Sequence, residues 1–175
     1  MAKSWFLLNC QVQHFQRVAL QISLTGVETY YPQQSTVTPR KDCKSSRKTT
    51  RPLFPGYLFT RFDPEEIHPT AITDIPGAGH FVKFNNQLGQ VREDIINGLQ
   101  CALLLRIDPV CDHIECRNLP PALLAEIQRI YMLDSAMERQ VALLSLLEKK
   151  DSREQLTSDK ALIYSVCPPQ TGAPL

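Results

Sequence analysis

No glycine occurs between Gly98 and Gly172, although the chain of 175 residues contains seven glycines. Glycine most readily adopts the positive φ of many tight turns, so this stretch has few places for such turns. Six cysteines are present, but no two have Cys-x-x-Cys spacing, which argues against a zinc ribbon. No apolar run approaches the roughly 18 residues that a membrane-spanning helix needs, so we expect no membrane partner.

Sequence patterns of enzyme sites are also missing. The chain has no GxSxG motif, P-loop or dinucleotide fingerprint, and its four histidines have neither HExxH nor paired spacing. The hexapeptide from Cys111 to Cys116 contains two thiols and the imidazole of His113, but it has no second half-site. We interpret the hexapeptide as linker sequence, and we expect no enzymatic activity, no metal and no cofactor.

The composition is that of an ordinary soluble protein, with 43% hydrophobic and 21% charged residues and a net charge of +1. Residues 1–100 are mildly basic, with 11 Lys and Arg against 8 Asp and Glu, and residues 101–175 are mildly acidic. The first four residues lead directly into a short apolar run, unlike an export signal. Together with dispersed cysteines, this predicts reduced thiols and a cytoplasmic location.

Residues 51–62 hold two prolines and a glycine, followed by an aromatic-rich strand from Tyr57 to Phe62. Alternation places Tyr57, Phe59 and Arg61 on one face of this strand and Leu58, Thr60 and Phe62 on the other. Both faces are apolar, so the strand is either buried on both sides or presents one face to a partner. Residues 40–51, with six Lys and Arg against one acid, are predicted to form a mobile loop or a hairpin tip.

The rest of the first 104 residues predicts an α+β domain with the order β-α-β-β-α-β-α. An amphipathic helix is expected over residues 11–25, with Phe15, Val18, Ala19 and Ile22 on its apolar face. A short helix is expected to begin at Asp63–Glu66, with Pro69 limiting its length. The other expected elements are strands over residues 5–10, 27–31 and 80–84, a turn at 76–79 and a helix over 92–104.

The second part predicts a linker over residues 105–119, an αα-hairpin over 120–150 and a flexible tail over 151–175. The first hairpin helix, 122–133, places Leu123, Ile127, Ile130 and Tyr131 on one face. The second helix, 136–150, is expected to bury Met137, Val141, Leu144 and Leu147.

Three motifs in this order resemble the N-terminal domain of the NusG family, the RNA-polymerase-binding module of bacterial elongation factors. They are SWFLL at Ser4–Leu8, PLFPGYLF at Pro52–Phe59 and GHFVKF at Gly79–Phe84, and the similarity covers roughly residues 3–100. Residues 62–70 are more similar to the specialised RfaH-like paralogues. So are residues 127–131 and 139–149, which resemble the RfaH C-terminal domain, an α-hairpin that converts to a five-stranded KOW barrel.

The resemblance implies a NusG N-terminal-type antiparallel sheet flanked by helices, followed by a helical C-terminal hairpin. Because the family barrel needs glycine at its turns, we expect the hairpin to stay helical and no KOW barrel to form readily. We therefore do not favour ribosome contact through a C-terminal barrel, and we expect a monomer.

The resemblance implies two contacts with RNA polymerase. The first is an apolar surface for a coiled-coil tip of the clamp (β′), formed by Trp5, Leu53, Phe54, Tyr57, Phe59 and Phe81. For Trp5 and Phe81 a core position fits equally well. The second is His68 and Thr70 on the opposite β pincer, with Pro69 where the family has a hydroxyl residue; for His68 the alternative is an ordinary helix-start histidine.

The hairpin is expected to cover the apolar surface in the free protein through Ile127, Ile130, Leu144 and Leu147. Arg139 matches one member of an interdomain ion pair, but Arg51 replaces its acidic partner. Either another acid substitutes or the closed form is weaker.

Contact with non-template DNA is implied for Arg17 on the first helix. The basic run could contact phosphates through Arg40, Lys41, Lys44, Arg47 and Lys48, or it could be only a solvated loop.

The function predicted from the sequence is a transcription elongation or antitermination factor that binds RNA polymerase and suppresses pausing or termination. The alternative is a regulatory module that occupies the polymerase site and competes with NusG-type factors without recruiting other partners.

Overall fold

The computed structural model describes residues 3–39, 46–107, 115–117, 119–148 and 163–165, with side chains for 3–34, 49–102 and 119–148. Its strands are β1 (Ser4–Cys10), β2 (Glu28–Tyr30), β3 (Gln33–Pro39), β4 (Ser46–Pro52), β5 (Tyr57–Phe62), β6 (Ala78–Phe81), β7 (Lys83–Phe84), β8 (Gln87–Leu88), β9 (Gln90–Val91), β10 (Glu115–Arg117) and β11 (Ile163–Ser165). Its helices are α1 (Phe15–Leu24), α2 (Pro69–Thr73), α3 (Glu93–Ile107), α4 (Pro121–Met132) and α5 (Ala136–Glu148).

The central sheet is antiparallel and has the strand order β2-β5-β1-β6, with β9 also pairing with β1. In the β1–β5 pair, Leu7 lies opposite Phe59 and Phe6 lies opposite Thr60. Residues that face each other across antiparallel strands lie on the same side of the sheet. The alternation of side chains in β5 therefore also determines the side on which each β1 side chain lies. The fold class is α+β with C-terminal helices, as predicted.

Helix α1 covers one side of the sheet and follows a single 3-10 turn over Val12–His14. The four apolar residues predicted for its buried face, Phe15, Val18, Ala19 and Ile22, are all buried. They belong to what we call the α1-side core, whose members are Phe6, Leu8, Cys10, Phe15, Val18, Ala19, Ile22, Val27, Leu58, Phe62, Ile72 and Phe81.

The hairpin side of the sheet is covered by α3, α4 and α5. This hairpin-side core comprises Trp5, Leu7, Leu53, Phe54, Phe59, Val91, Ile95, Ile96, Leu99, Ala102, Leu119, Leu123, Leu124, Ile127, Ile130, Tyr131, Leu143 and Leu146. Helix α4 begins with Pro121 at its first turn, where the missing N–H costs no hydrogen bond, and it buries the predicted face.

The basic segment is a strand for much of its length. Strand β4 pairs with β3 from Gln33–Pro52 at the base of the hairpin to Pro39–Ser46 at its outer end. The prediction of a loop or hairpin tip is therefore wrong for residues 46–51, because backbone pairing with β3 gives this polar segment its order. Arg40, Lys41 and Lys44 lie outside the described residues.

The predicted helix start at Asp63–Glu66 is also wrong. Asp63 is buried, and its Oδ1 accepts a hydrogen bond from the Glu65 N–H at 3.0 Å, which closes a turn. Helix α2 begins only at Pro69, where proline occupies the first helical turn instead of limiting the helix.

Two expected boundaries shift in the second part. Helix α3 continues to Ile107, so the first residues of the expected linker are helical. Within the expected linker and tail, β10 pairs with β11 through Glu115–Ser165 and Arg117–Ile163. Among the described residues, no helix is long and apolar enough to span a bilayer.

Candidate functional site

Four of the six residues predicted to form the polymerase-binding surface lie together in the hairpin-side core. Trp5, Leu53, Phe54 and Phe59 are all at most 5% exposed, and Tyr57 is half-buried against the same cluster. The structure thus assembles one aromatic and aliphatic face from β1, β5 and the Pro52–Gly56 turn. The face is closed to solvent because the α4–α5 hairpin packs on it.

Trp5 is held at the edge of this face by Arg61. The Arg61 guanidinium carbon lies 5.8 Å from the centroid of the Trp5 ring, within reach of a cation–π contact. The same guanidinium contacts Glu28 at 3.6 Å and Glu93 at 3.5 Å, which ties β5 to β2 and to the start of α3. Exposed ion pairs of this kind contribute little stability, so their effect is to orient the ring.

Phe81 does not belong to this face and takes the core position left open by the sequence as its alternative. It lies in the α1-side core, with its ring centroid 5.6 Å from Phe62 and 6.4 Å from Phe6. The register explains the placement, because Phe81 pairs with Leu8, whose side chain points toward α1.

The hairpin covers the face mainly through apolar packing. Ile127 and Ile130, predicted for this role, are fully buried in the hairpin-side core. Gly98 in α3 allows the close approach of α4, since a Cβ at this position would lie within van der Waals overlap of the Ile127 Cδ1 atom. The Tyr131 hydroxyl donates to the Leu99 carbonyl at 3.1 Å, which anchors the end of α4 on α3.

Helix α5 contacts the sheet with a different face from the predicted one. Leu143 and Leu146 are its buried leucines, whereas Leu144 and Leu147 only pack at the margin. Met137 is 73% exposed and Val141 is 59% exposed, so the predicted face was wrong at these two positions.

Arg139 fixes that orientation. It is 7% exposed, and its Nε donates to the Leu53 carbonyl at 3.0 Å. Its Nη1 donates to the carbonyls of Leu133 at 2.6 Å and Asp134 at 3.0 Å. Within the described residues, the hydrogen-bond partners of Arg139 are neutral backbone carbonyls, one of them on the covered face, where the resemblance implied a carboxylate.

A second polar contact lies one residue further along α5. The Gln140 side-chain amide donates to the Pro55 carbonyl at 2.5 Å. Arg139 and Gln140 together bind two carbonyls of the Pro52–Gly56 turn, which supplies Leu53 and Phe54 to the apolar face. Sequence reasoning missed Gln140, because an amide on an otherwise ordinary helix carries no sequence signal.

His68 and Thr70 are exposed and adjacent at the start of α2. The His68 Nδ1 accepts a hydrogen bond from the Thr70 N–H at 3.3 Å and lies 2.7 Å from the Thr70 Oγ1. His68 thus caps the helix, which is the alternative role left open by the sequence. Its imidazole remains at the surface beside Thr70, so a partner can reach both.

The predicted DNA contacts are only partly described. Arg17 is exposed on α1 and lines a groove shared with Arg51 and Thr50 at the base of β4. Arg47 and Lys48 lie on β4, opposite Thr38 and Val37. Three glutamines, Gln13, Gln16 and Gln33, line the same groove, and no acidic residue is among its lining residues.

Two buried groups have shifted pKa values. Burial raises the pKa of the Cys10 thiol to about 12, so this thiol stays protonated at neutral pH. Burial, and next the nearby Cys101, raise the pKa of the Tyr30 hydroxyl. The described residues contain no group of three His, Cys, Asp or Glu that could hold a metal ion; of the Cys111–Cys116 hexapeptide, only residues 115 and 116 are described.

Residues 3–100, which form more than half of the chain, match the family model described as transcription termination factor NusG. The match ends before α4, so it includes the apolar face and α1 but not the hairpin that covers the face.

Proposed function

The chain belongs to the NusG family, and we propose that it is an RfaH-like elongation factor that docks on RNA polymerase and suppresses pausing or termination. Members of this family are transcription elongation and termination factors that bind RNA polymerase. The proposal for this chain rests on one observation. An apolar aromatic face within the family-matched region lies under a helical hairpin outside that region.

In the proposed mechanism, the hairpin leaves and the face built from Trp5, Leu53, Phe54, Tyr57 and Phe59 receives an apolar helix tip of the β′ clamp. Aromatic side chains that exclude water at the centre of an interface are typical of a binding hot spot. The energetic requirement is that polymerase contacts exceed those of the hairpin, since both occupy the same surface.

His68 and Thr70 are proposed as a second contact, with the opposite β pincer. Two contacts on opposite pincers would hold the clamp closed around nucleic acid and oppose pausing. Arg17 and the β3–β4 hairpin, with Arg47 and Lys48, are proposed to contact non-template DNA through its phosphates, an interaction that weakens as salt rises.

Pull-down with core RNA polymerase tests the docking face. In an opened background, Ile130→Asp, we expect stronger binding than in the unmodified chain, because the buried charge disfavours hairpin docking. Adding Tyr57→Ala and Phe54→Ala should abolish that binding, whereas adding Val12→Ala, at an exposed position on the α1 side, should leave it intact. Binding that survives the double alanine change would remove the face from the proposal.

A second candidate function is competitive occupancy of the polymerase without recruitment of further partners. Two observations favour this candidate: the α4–α5 hairpin is helical, and its region contains no glycine, the residue best suited to the turns of a barrel. Transcription in vitro through a pause and a terminator separates the two: read-through should rise for an antiterminator. If read-through is unchanged while a NusG-type factor is displaced, competitive occupancy is the function.

A further inference from the structure

A cleft of about 540 Å³ lies between the base of the β3–β4 hairpin and the turn that joins α4 to α5. It is formed from both parts of the molecule, since Arg51 and Pro55 come from the sheet side and Leu133 and Arg139 from the helical hairpin. The cleft as a whole therefore exists only while the hairpin is docked.

The charges around this cleft are unbalanced. Arg139 is more than nine-tenths buried, and within the described part of the chain it has no carboxylate within 4 Å. Arg51 is exposed and makes no hydrogen bond or ion pair with any described residue. Asp134 also lines the cleft, but it contacts Arg139 through its backbone carbonyl.

A buried guanidinium without a counter-charge is costly, because burial removes water that neutral carbonyls only partly replace. The Nε and Nη1 atoms of Arg139 donate to carbonyls, and the Nη2 group makes no hydrogen bond or ion pair with any described residue. Guanidinium groups are the preferred partners of phosphate-type oxyanions, because their N–H groups match the spacing of the oxygens. Two of them lining one cleft make a site of this chemistry.

We propose that the cleft binds a phosphate-class anion that bridges Arg51 and Arg139 and holds the helical hairpin closed. Since the two arginines come from opposite sides of the interface, an anion bound to both stabilises the docked hairpin by its binding free energy. This inference does not depend on polymerase binding, because it concerns the free protein and a polar site beside the apolar face.

The anion could come from inorganic phosphate or from the backbone of a single-stranded nucleic acid. Arg51 also lines the neighbouring groove that contains Arg17, so a strand in that groove could place a phosphate at Arg51. Both sources present the same oxygens to the two guanidinium groups, and competition between them identifies the source.

Isothermal titration calorimetry of the full chain with orthophosphate, at constant ionic strength, tests the site. We expect saturable binding that Arg51→Gln weakens by about tenfold, the loss that corresponds to one charge-assisted contact. Lys83→Gln removes one positive charge at an exposed position outside the cleft and should leave the affinity unchanged. Absence of saturable binding, or equal affinity in Arg51→Gln, would overturn the proposal.

The variant Arg51→Glu gives an independent test that does not risk the fold, because position 51 is exposed. A carboxylate there supplies the missing counter-charge, so phosphate binding should disappear. Without phosphate, hydrogen exchange of α4 and α5 should be slower in Arg51→Glu than in the unmodified chain. Adding phosphate to the unmodified chain should slow this exchange as well. Exchange that does not respond to either change would contradict the link between the anion and hairpin closure.

A short single-stranded thymidine oligonucleotide, added to the phosphate-saturated chain, distinguishes the two sources. Displacement of orthophosphate identifies the nucleic-acid backbone as a ligand of the cleft. Retention of orthophosphate in the presence of the strand identifies the free anion.

Discussion

The two sides of the sheet are both buried, but they are covered in different ways. The α1 side is covered by a helix joined to its neighbouring strands by connections of a few residues, Gln11–His14 before it and Thr25–Val27 after it. On the hairpin side, α3 follows β9 almost directly, but α4 and α5, which cover the rest of this side, come after residues 108–118 in the chain. Short connections give a high effective concentration and a small closure entropy, so α1 is the more permanent cover.

The contacts on the two sides of the sheet differ in the same direction. On the α1 side, Phe15 of α1 packs edge-on against Tyr31, and the strand residues Phe6, Phe62 and Phe81 pack ring against ring with centroids 4.9 to 6.4 Å apart. On the hairpin side, Arg139 and Gln140 contact backbone carbonyls of the Leu53–Pro55 turn, where water can replace them on opening. A side that uses exchangeable contacts is suited to uncovering, and the following changes test that difference.

The largest effect is expected on the α1 side. Phe62→Ala removes a ring that contacts Phe6 and Phe81 and is 1% exposed, so we expect a loss of about 3–5 kcal/mol in the free energy of unfolding. Urea denaturation followed by tryptophan fluorescence measures it, because Trp5 reports on the whole sheet. Leu20→Ala, at a position 63% exposed on α1, is the control and should change stability little. If Phe62→Ala detached only the hairpin and left the sheet folded, Phe62 would not be part of a core that holds the sheet together.

A smaller and local effect is expected on the hairpin side. Ile130→Ala creates a cavity in a fully buried position of α4 and should weaken hairpin docking by about 2–4 kcal/mol. Hydrogen exchange should accelerate in α4 and α5, while β1, β5 and α1 keep their protection. Met137→Ala, on the exposed face of α5, is the matched control. If exchange accelerates equally throughout the sheet, the two sides unfold as one unit and the comparison fails.

The sequence predicted elements best where a single periodicity was possible. Tyr57–Phe62 alternates without interruption, so its bounds and the sorting of its side chains to two cores agree with the structure. Helix α5 is different, because apolar residues occupy most of its circumference and several faces could be buried. Its actual face includes the buried Arg139, which the family resemblance indicated but no hydropathy pattern predicts.

Long-range pairing explains the other differences. Residues 46–51 are polar, and only the register with β3 makes them a strand. Phe81 comes after Gly77 and Gly79, which have no side chain to indicate a face of the strand. Its pairing with Leu8 places it on the α1 side of the sheet. The covered apolar face itself could be inferred from its motifs, whereas the carbonyl partners of Arg139 depend on how the hairpin docks.

Arg139 provides a test of the exchangeable contacts. Arg139→Met keeps much of the side-chain length but removes the hydrogen bond to the Leu53 carbonyl across the interface and two more within the hairpin turn, so we expect hairpin docking to weaken by about 2 kcal/mol in phosphate-free buffer. The measurement is hydrogen exchange of α5. Arg139→Lys should recover little of the loss, since an ammonium lacks the planar fork that reaches carbonyls on both sides. Full recovery by lysine would show that charge alone, without this geometry, holds the hairpin.

The smallest effect contrasts two buried hydroxyl groups. The Tyr30 hydroxyl, on the hairpin side, is buried and has no hydrogen-bond partner among the described residues. Burying an unpaired hydroxyl is unfavourable, so Tyr30→Phe should raise the free energy of unfolding by about 1 kcal/mol while keeping the ring beside Phe59.

Thr60 is the opposite case on the α1 side, because its Oγ1 donates to the Phe6 carbonyl at 3.4 Å. Thr60→Val, which keeps the shape and removes the donor, should therefore lower the free energy of unfolding by about 1 kcal/mol. Urea denaturation of both variants gives the two signs. Opposite signs would mean that the Thr60 hydroxyl is satisfied on the α1 side and the Tyr30 hydroxyl is left unsatisfied on the hairpin side, where opening of the hairpin lets water reach it. Equal signs would remove this polar difference and leave chain connectivity as the distinction between the two covers.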